Sequence, residues 1–134
     1  MRLSIFVGFL LVIAAIEVRG DDTPQLKAGL WQFSRSSSTA PAGTAAMSNQ
    51  KCIDPTKLFS EKPQMESCKF SPMTRSGNTY NFTADCTIHD TPLTSKTSIV
   101  VDGDSAYTMT VDSHGGGMTT KEVLTATRIG DCPQ

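Results

Sequence analysis

The sequence predicts an all-β protein, an antiparallel meander of about six to eight strands that forms a small barrel or sandwich with one short helix and two disulfides. Three observations lead to this prediction. Apolar and polar residues alternate with a period of two in several segments, as in strands that bury one face. Turn signals separate these segments at short intervals, which is typical of antiparallel sandwiches and barrels. Four cysteines in an exported chain of only 134 residues indicate disulfides.

The first twenty residues have the features of a cleavable signal peptide. Arg2 precedes the apolar run 5–16, and the compact residues Val18 and Gly20 occupy the positions before the cleavage point. The run is shorter than the roughly 20 apolar residues that a membrane-spanning helix needs. We therefore expect residues 1–20 to be removed, no membrane span to remain, and the protein to be periplasmic or secreted.

The remaining chain is long enough for one domain. Residues 21–28 are mostly polar and are predicted to be a flexible lead-in, so that the disulfide-linked β domain occupies residues 29–134. Trp31 and Phe33 alternate with polar neighbours, which predicts the first strand. A second, weaker strand is predicted over residues 45–53.

The only helical segment predicted in the domain follows the second strand. Asp54 is suited to be its N-cap and Pro55 to be its first residue, and Pro63 ends it. A helix of barely two turns is marginal on its own, so we expect tertiary contacts to hold it.

From Cys68 onward the pattern is a series of hairpins. Strands are predicted within residues 80–86, 93–101, 107–112 and 118–129. The turn signals between them are Ser76-Gly77-Asn78, Asp102-Gly103 and the glycine-rich run 114–117.

The four cysteines are Cys52, Cys68, Cys86 and Cys132. Their wide spacing contains no C-x-x-C pair, which argues against a structural zinc site or a thioredoxin-type motif. Four cysteines allow three pairings, and the sequence alone does not select one. We favour Cys52–Cys68, which would close the loop around the helix, together with Cys86–Cys132, which would anchor the C-terminal tail.

An ordered set of short motifs extends over nearly the whole mature chain. In sequence order, the motifs are Gly29-Leu30-Trp31, Lys51-Cys52-Ile53, Cys68, Arg75-Ser76-Gly77-Asn78-Thr79, Cys86, Asp102-Gly103-Asp104, Tyr107, Gly117-Met118-Thr119 and Arg128-Ile129-Gly130-Asp131-Cys132. This set resembles the bacterial exported family catalogued as domain of unknown function thirty-six-seventeen. The resemblance implies a periplasmic or secreted bacterial protein, and it brings no catalytic residue with it.

Several function classes have little support in the sequence. The net charge is −1 and the charges are scattered, so the basic surface that nucleic acid requires is missing. The run 114–117 is similar to the oxyanion loop of some lipases and esterases, but the G-x-S-x-G nucleophile motif does not occur. We expect no catalytic residue and no cofactor.

A set of aromatic residues on predicted strands supports the leading functional prediction. If the sheet curls closed, these residues could line a cavity for a small apolar ligand; the alternative is that they fill the core. They are Trp31, Phe33, Tyr80, Phe82 and Tyr107. The leading prediction is a non-catalytic exported protein that binds a small apolar molecule or an envelope protein.

Methionine and histidine residues support a second prediction, a periplasmic copper-binding or redox-buffering protein. Thioether and imidazole groups are ligands for Cu(I). Met118 lies four residues from His114 across a flexible turn, so the two side chains could converge. Met109 is a further candidate ligand, although it alternates with Tyr107 and Val111 as a core residue does.

Overall fold

The computed structural model describes residues 22–61 and 66–134, and within these residues the chain forms eight strands and one helix. The elements are β1 (Gly29–Ser37), β2 (Met47–Ile53), α1 (Pro55–Ser60), β3 (Cys68–Phe70), β4 (Thr74–Ser76), β5 (Thr79–Ile88), β6 (Thr91–Asp102), β7 (Ala106–Gly115) and β8 (Met118–Gly130). The predicted all-β antiparallel meander with one short helix and two disulfides is confirmed. The predicted signal peptide, residues 1–20, lies outside the described residues.

All strands belong to one antiparallel sheet whose order is β2-β1-β8-β7-β6-β5-β3. Strands β5 to β8 are consecutive hairpins, and β8 then pairs with β1, which brings the start and the end of the domain side by side. β4 pairs with β5, the same strand that β3 pairs with. The sheet therefore stays open, with β2 at one edge and the short strands β3 and β4 at the other.

Two-residue turns join two of the three long hairpins, β7–β8 and β5–β6. Gly116 and Gly117 connect β7 to β8 with φ angles of 58° and 75°, the conformation that a tight hairpin with the twist of its strands requires. The β5–β6 turn has the same form but uses His89 and Asp90, with φ angles of 48° and 61°. Because it contains no glycine, its signal in the sequence is weak, and β5 and β6 extend farther toward it than predicted.

The core lies on one face of the sheet, here called the core face. It carries Trp31, Tyr80, Ile99, Tyr107 and Ala126, each less than a twentieth exposed. Trp31 and Ile99 have no exposed surface at all. The opposite face, here called the outer face, carries mainly threonine, serine and other polar residues, so the alternation in the sequence corresponds to one buried and one solvated side.

The segment before β1 is packed, which corrects the prediction that residues 21–28 form a flexible lead-in. Over residues 22–28, Pro24 and Leu26 are buried, and the backbone amide of Lys27 donates to the carbonyl of Asp104, 2.8 Å away. The few apolar residues of the segment find partners on the core face, and this tertiary packing outweighs its mostly polar composition.

Helix α1 begins as predicted. The side chain of Asp54 accepts from the amide of Lys57, and Pro55 occupies the first turn. The hydroxyl of Thr56 donates to the carbonyl of Leu26 and accepts from the amide of the same residue. The support that so short a helix needs therefore comes from the packed N-terminal segment as well as from the core.

The two disulfides join Cys52 to Cys132 and Cys68 to Cys86, so the favoured pairing of Cys52 with Cys68 and of Cys86 with Cys132 is wrong. Cys68 and Cys86 are direct partners in the β3–β5 ladder, with Cα atoms 4.0 Å apart. Cys52 lies on β2, at the opposite edge of the sheet. The favoured pairing rested on support for the helix and on anchoring of the C-terminal tail, whereas the strand order determines which cysteines meet.

The second disulfide still anchors the C-terminal tail, but to β2 instead of to a central strand. Cys52 pairs with Leu30 of β1, and Leu30 pairs on its other side with Gly130, at the end of β8. Cys132 follows Gly130 by two residues, so the disulfide crosses the start of β1 and joins β2 to the tail. It closes a loop with a sequence separation of 80 residues.

Candidate ligand-binding groove

A groove of about 570 Å³ lies between α1 and the β3–β5 edge of the sheet, here called the α1–β5 groove. Its apolar lining comes from the helix, from the chain between β3 and β4, and from β5. Its described lining residues are Asp22, Thr23, Leu58, Phe59, Ser60, Glu61, Phe70, Ser71, Pro72, Met73 and Phe82.

A break in the edge of the sheet shapes one wall of this groove. After β3, the amide of Ser71 still donates to the carbonyl of Thr83, 2.9 Å away, and the hydroxyl of Ser71 accepts from the amide of Thr83. Pro72 has no N–H to offer the ladder, so it suits an interrupted edge. The chain leaves the edge over Pro72 and Met73 before β4 resumes the pairing, and the side chain of Met73 packs against the core cluster.

The opposite wall is held by a row of aromatic contacts. The ring of Phe59 meets that of Tyr107 edge-on, with centroids 5.4 Å apart, and Tyr107 in turn lies 5.6 Å from Trp31. These contacts connect the helix to the most buried part of the core. Burial raises the pKa of Tyr107 to about 12, because an ionised phenolate would lose its hydration there.

Four of the six apolar lining residues are half-buried, whereas the serines and acidic residues of the lining are exposed and form its rim. The hydroxyl of Ser60 donates to the carbonyl of Lys57, and that of Ser71 donates to the carbonyl of Pro72. The rim also carries the carboxylates of Asp22 and Glu61. Within residues 22–61 and 66–134, neither carboxylate has a hydrogen-bond or ion-pair partner. The interior of the groove therefore offers an apolar surface to a ligand, and the rim offers two negatively charged carboxylates.

The five predicted ligand-lining aromatics all lie on the core face, but only one of them lines the groove. Trp31, Tyr80 and Tyr107 fill the core. Phe33 is half-buried and packs against the same cluster. Phe82 lines the groove. Most of the five residues therefore belong to the core or pack against it.

Sequence reasoning missed most of the groove. The overlooked residues come from the helix and from the β3–β4 connection: they are Leu58, Phe59, Phe70, Pro72 and Met73. One signal could have indicated the helix wall, because Leu58 and Phe59 are adjacent apolar residues in a helix too short to bury both. Leu58 is 56% exposed, which is unusual for so large an apolar side chain.

The structure does not bring the copper candidates together. His114 lies on the outer face, where its Nδ1 is 3.2 Å from the hydroxyl of Thr119. Met118 and Met109 have the register of the core face, and Met118 is 63% exposed. Among the described residues, no group of three or more histidine, cysteine or acidic side chains is arranged to hold a metal ion.

A second hollow, of about 590 Å³, lies beyond Phe82 and is lined mostly by outer-face residues. Its polar lining includes Asn81, Thr83, Lys96 and Asp112. It is more open to solvent than the α1–β5 groove and has fewer apolar side chains. The α1–β5 groove is therefore the stronger candidate for a binding site.

Within the part of the chain that the structure describes, no helix has the length and apolar character needed to cross a bilayer.

Comparison with known proteins agrees with the resemblance seen in the sequence. No curated protein and no solved structure matches the chain. A family model described as "Protein of unknown function (DUF3617)" matches residues 26–132, which is most of the chain. The chain therefore belongs to the DUF3617 family.

Proposed function

We propose that this protein is an exported, non-catalytic binding protein that holds a small apolar molecule in the α1–β5 groove. The main support for this proposal is that six apolar side chains line one open groove. These side chains are Leu58, Phe59, Phe70, Pro72, Met73 and Phe82.

The size and composition of the groove support this role. Small-molecule sites have volumes of about 300–1,000 Å³ and are lined mainly by apolar and aromatic side chains, and the groove, at about 570 Å³, falls within this range. Met73 adds an adaptable thioether side chain, which tolerates ligands of different shapes. The exposed Leu58 at the mouth would gain a partner when the groove is filled.

A non-catalytic role is supported by the positions of the groups that could do chemistry. All four cysteines are in disulfides. His89 lies in the β5–β6 turn, and His114 lies on the outer face next to Thr119. Neither histidine lines the groove. Export to an oxidising compartment is supported by the two disulfides, since such bonds persist mainly in secreted and periplasmic proteins.

The proposal is tested with a series of ligands that share a neutral, strongly polar head. We use N-alkyl-N,N-dimethylamine N-oxides with six, eight and ten chain carbons, each below its micelle concentration. Binding to the disulfide-bonded protein is followed by calorimetry and by the fluorescence of Trp31, the only tryptophan. Each methylene that becomes buried contributes about 0.8 kcal/mol, so affinity should rise about fourfold per methylene. An affinity that is independent of chain length would contradict the proposal.

A matched pair of variants locates the binding. Leu58→Gln introduces a polar group at the mouth of the groove, and Ile88→Gln makes the same kind of change at a similarly exposed residue, 46% against 56%, outside the groove. Leu58→Gln should weaken binding of the ten-carbon ligand by about tenfold, and Ile88→Gln should leave it unchanged. Equal effects of the two variants would place the ligand elsewhere.

A further inference from the structure

The rim of the α1–β5 groove carries charge of only one sign among its described lining residues. The charged side chains there are the carboxylates of Asp22 and Glu61. Asp22 is the first residue of the packed N-terminal segment 22–28, and Glu61 is the C-cap of α1. They come from separate parts of the chain and both line the same groove, which is otherwise lined by apolar and hydroxyl side chains.

We propose that the ligand of this groove is a cationic amphiphile, with its apolar chain inside and its positively charged head between Asp22 and Glu61; this inference rests on the proposed function. The inference rests on the charge complementarity between the carboxylates of the rim and a positively charged head. A carboxylate head would face two like charges at the rim. A quaternary or primary ammonium head would instead face two carboxylates that have no partner in the described parts of the chain.

The surrounding groups leave these carboxylates available. Glu61 uses its backbone amide to cap the helix, donating to the carbonyl of Lys57 at 3.1 Å, so its side chain is not needed for the cap. Lys57 lies one turn earlier on α1 but does not line the groove. Both carboxylates are near water, so the preference they produce is moderate and sensitive to salt.

Three ligands with the same ten-carbon chain and different head charges test the inference. They are decyltrimethylammonium, decyldimethylamine N-oxide and undecanoate, whose tenth chain carbon carries the carboxylate, at pH 8 and low ionic strength. Two carboxylates near the head should make the cation bind about tenfold more tightly than the neutral N-oxide, and undecanoate more weakly than the N-oxide. The difference should shrink when salt is raised to about 0.5 M, because screening then acts over only a few ångströms.

The double variant Asp22→Asn with Glu61→Gln removes the charge and keeps the shape of the rim. It should bring the affinity for the cation within about twofold of the affinity for the N-oxide, with both affinities measured on the same variant. The control Asp102→Asn with Asp104→Asn removes two exposed carboxylates from the β6–β7 hairpin, outside the groove, and should preserve the preference for the cation.

The outcomes separate this inference from the proposed function. If the N-oxide binds with the expected dependence on chain length but the cation has no advantage, the cationic ligand is overturned and the apolar groove stands. If the control variant abolishes the preference as fully as the rim variant does, the preference reflects overall charge and the inference is again overturned. If none of the three ligands binds, the proposed function itself is wrong.

Discussion

Phe59 of α1 meets Tyr107 of β7 edge-on, with ring centroids 5.4 Å apart. This contact attaches the helix to the sheet and thereby fixes one wall of the α1–β5 groove. An edge-to-face aromatic pair contributes about 0.5–1.5 kcal/mol beyond the burial of its area. The helix has only six residues, so few other contacts can replace this one.

Replacement of Phe59 should therefore destabilise the protein and loosen the helix. We expect Phe59→Ala to lower the free energy of unfolding by about 2–3 kcal/mol, because it removes a partly buried ring and its contact with Tyr107. Urea unfolding followed by Trp31 fluorescence measures the effect. The control, Leu58→Ala on the same helix, should cost less than about 1 kcal/mol, since Leu58 is 56% exposed. Equal losses would contradict the anchoring role of Phe59.

The disulfides should contribute unequally to stability. In the chain-entropy account, a bridge with a separation of 80 residues stabilises by about 4.5 kcal/mol, and one with a separation of 18 by about 3 kcal/mol. Replacing Cys52 and Cys132 by serine should therefore lower the melting temperature more than replacing Cys68 and Cys86. Peptide mapping of the unreduced protein should recover Cys52 joined to Cys132, and a Cys52–Cys68 peptide would contradict the structure.

The same disulfides illustrate how much of the fold the sequence predicts. Alternation around Trp31, Tyr80 and Tyr107 predicted the strands and the core face, because side-chain direction repeats every two residues. Pairing of Cys52 depends on which strands are neighbours, and local patterns contain no information about strand order. Loop-closure entropy depends only weakly on loop length, so it could not correct the choice.

The groove was less predictable than the fold for a related reason. Phe59, Met73 and Phe82 belong to three different elements, and each sequence segment alone is compatible with a filled core. The break of the edge strand at Pro72 brings Met73 to the groove, and the contact with Tyr107 brings Phe59 there. The aromatic residues on the long strands gave clear signals, but their strong alternation is the property of buried core residues.

Residues that tolerate positive φ angles in the β5–β6 turn should make the protein more stable. His89 and Asp90 both adopt left-handed backbone angles, which cost most residues other than glycine about 1–2 kcal/mol, and cost histidine and aspartate less than that. The double variant His89→Asn with Asp90→Gly should therefore raise the free energy of unfolding by about 1 kcal/mol. As a control, Thr91→Gly at the first residue of β6 should destabilise. No gain in the double variant would show that the turn is not limited by backbone strain.

Stability should fall at high pH because of Tyr107. Burial raises its pKa from 10.0 to about 12, so between pH 10 and 12 the unfolded chain releases this proton while the folded protein retains it. Ionisation then favours the unfolded state, and the stability present below pH 10 should fall by about 2 kcal/mol as the pH approaches 12. Urea unfolding at a series of pH values measures the slope, and Tyr107→Phe should reduce it. An unchanged slope in that variant would assign the loss to other groups.

Methyl NMR of the methionines tests the ligand-binding groove most directly. Met73 lines the groove, whereas Met47 and Met118 lie outside it and are exposed. With ¹³C-methyl-labelled methionine, titration with decyldimethylamine N-oxide should shift the Met73 signal in a saturable way and give intermolecular contacts between its methyl group and the alkyl chain. The signals of Met47 and Met118 should stay in place. Saturable shifts at Met118 with none at Met73 would contradict the account.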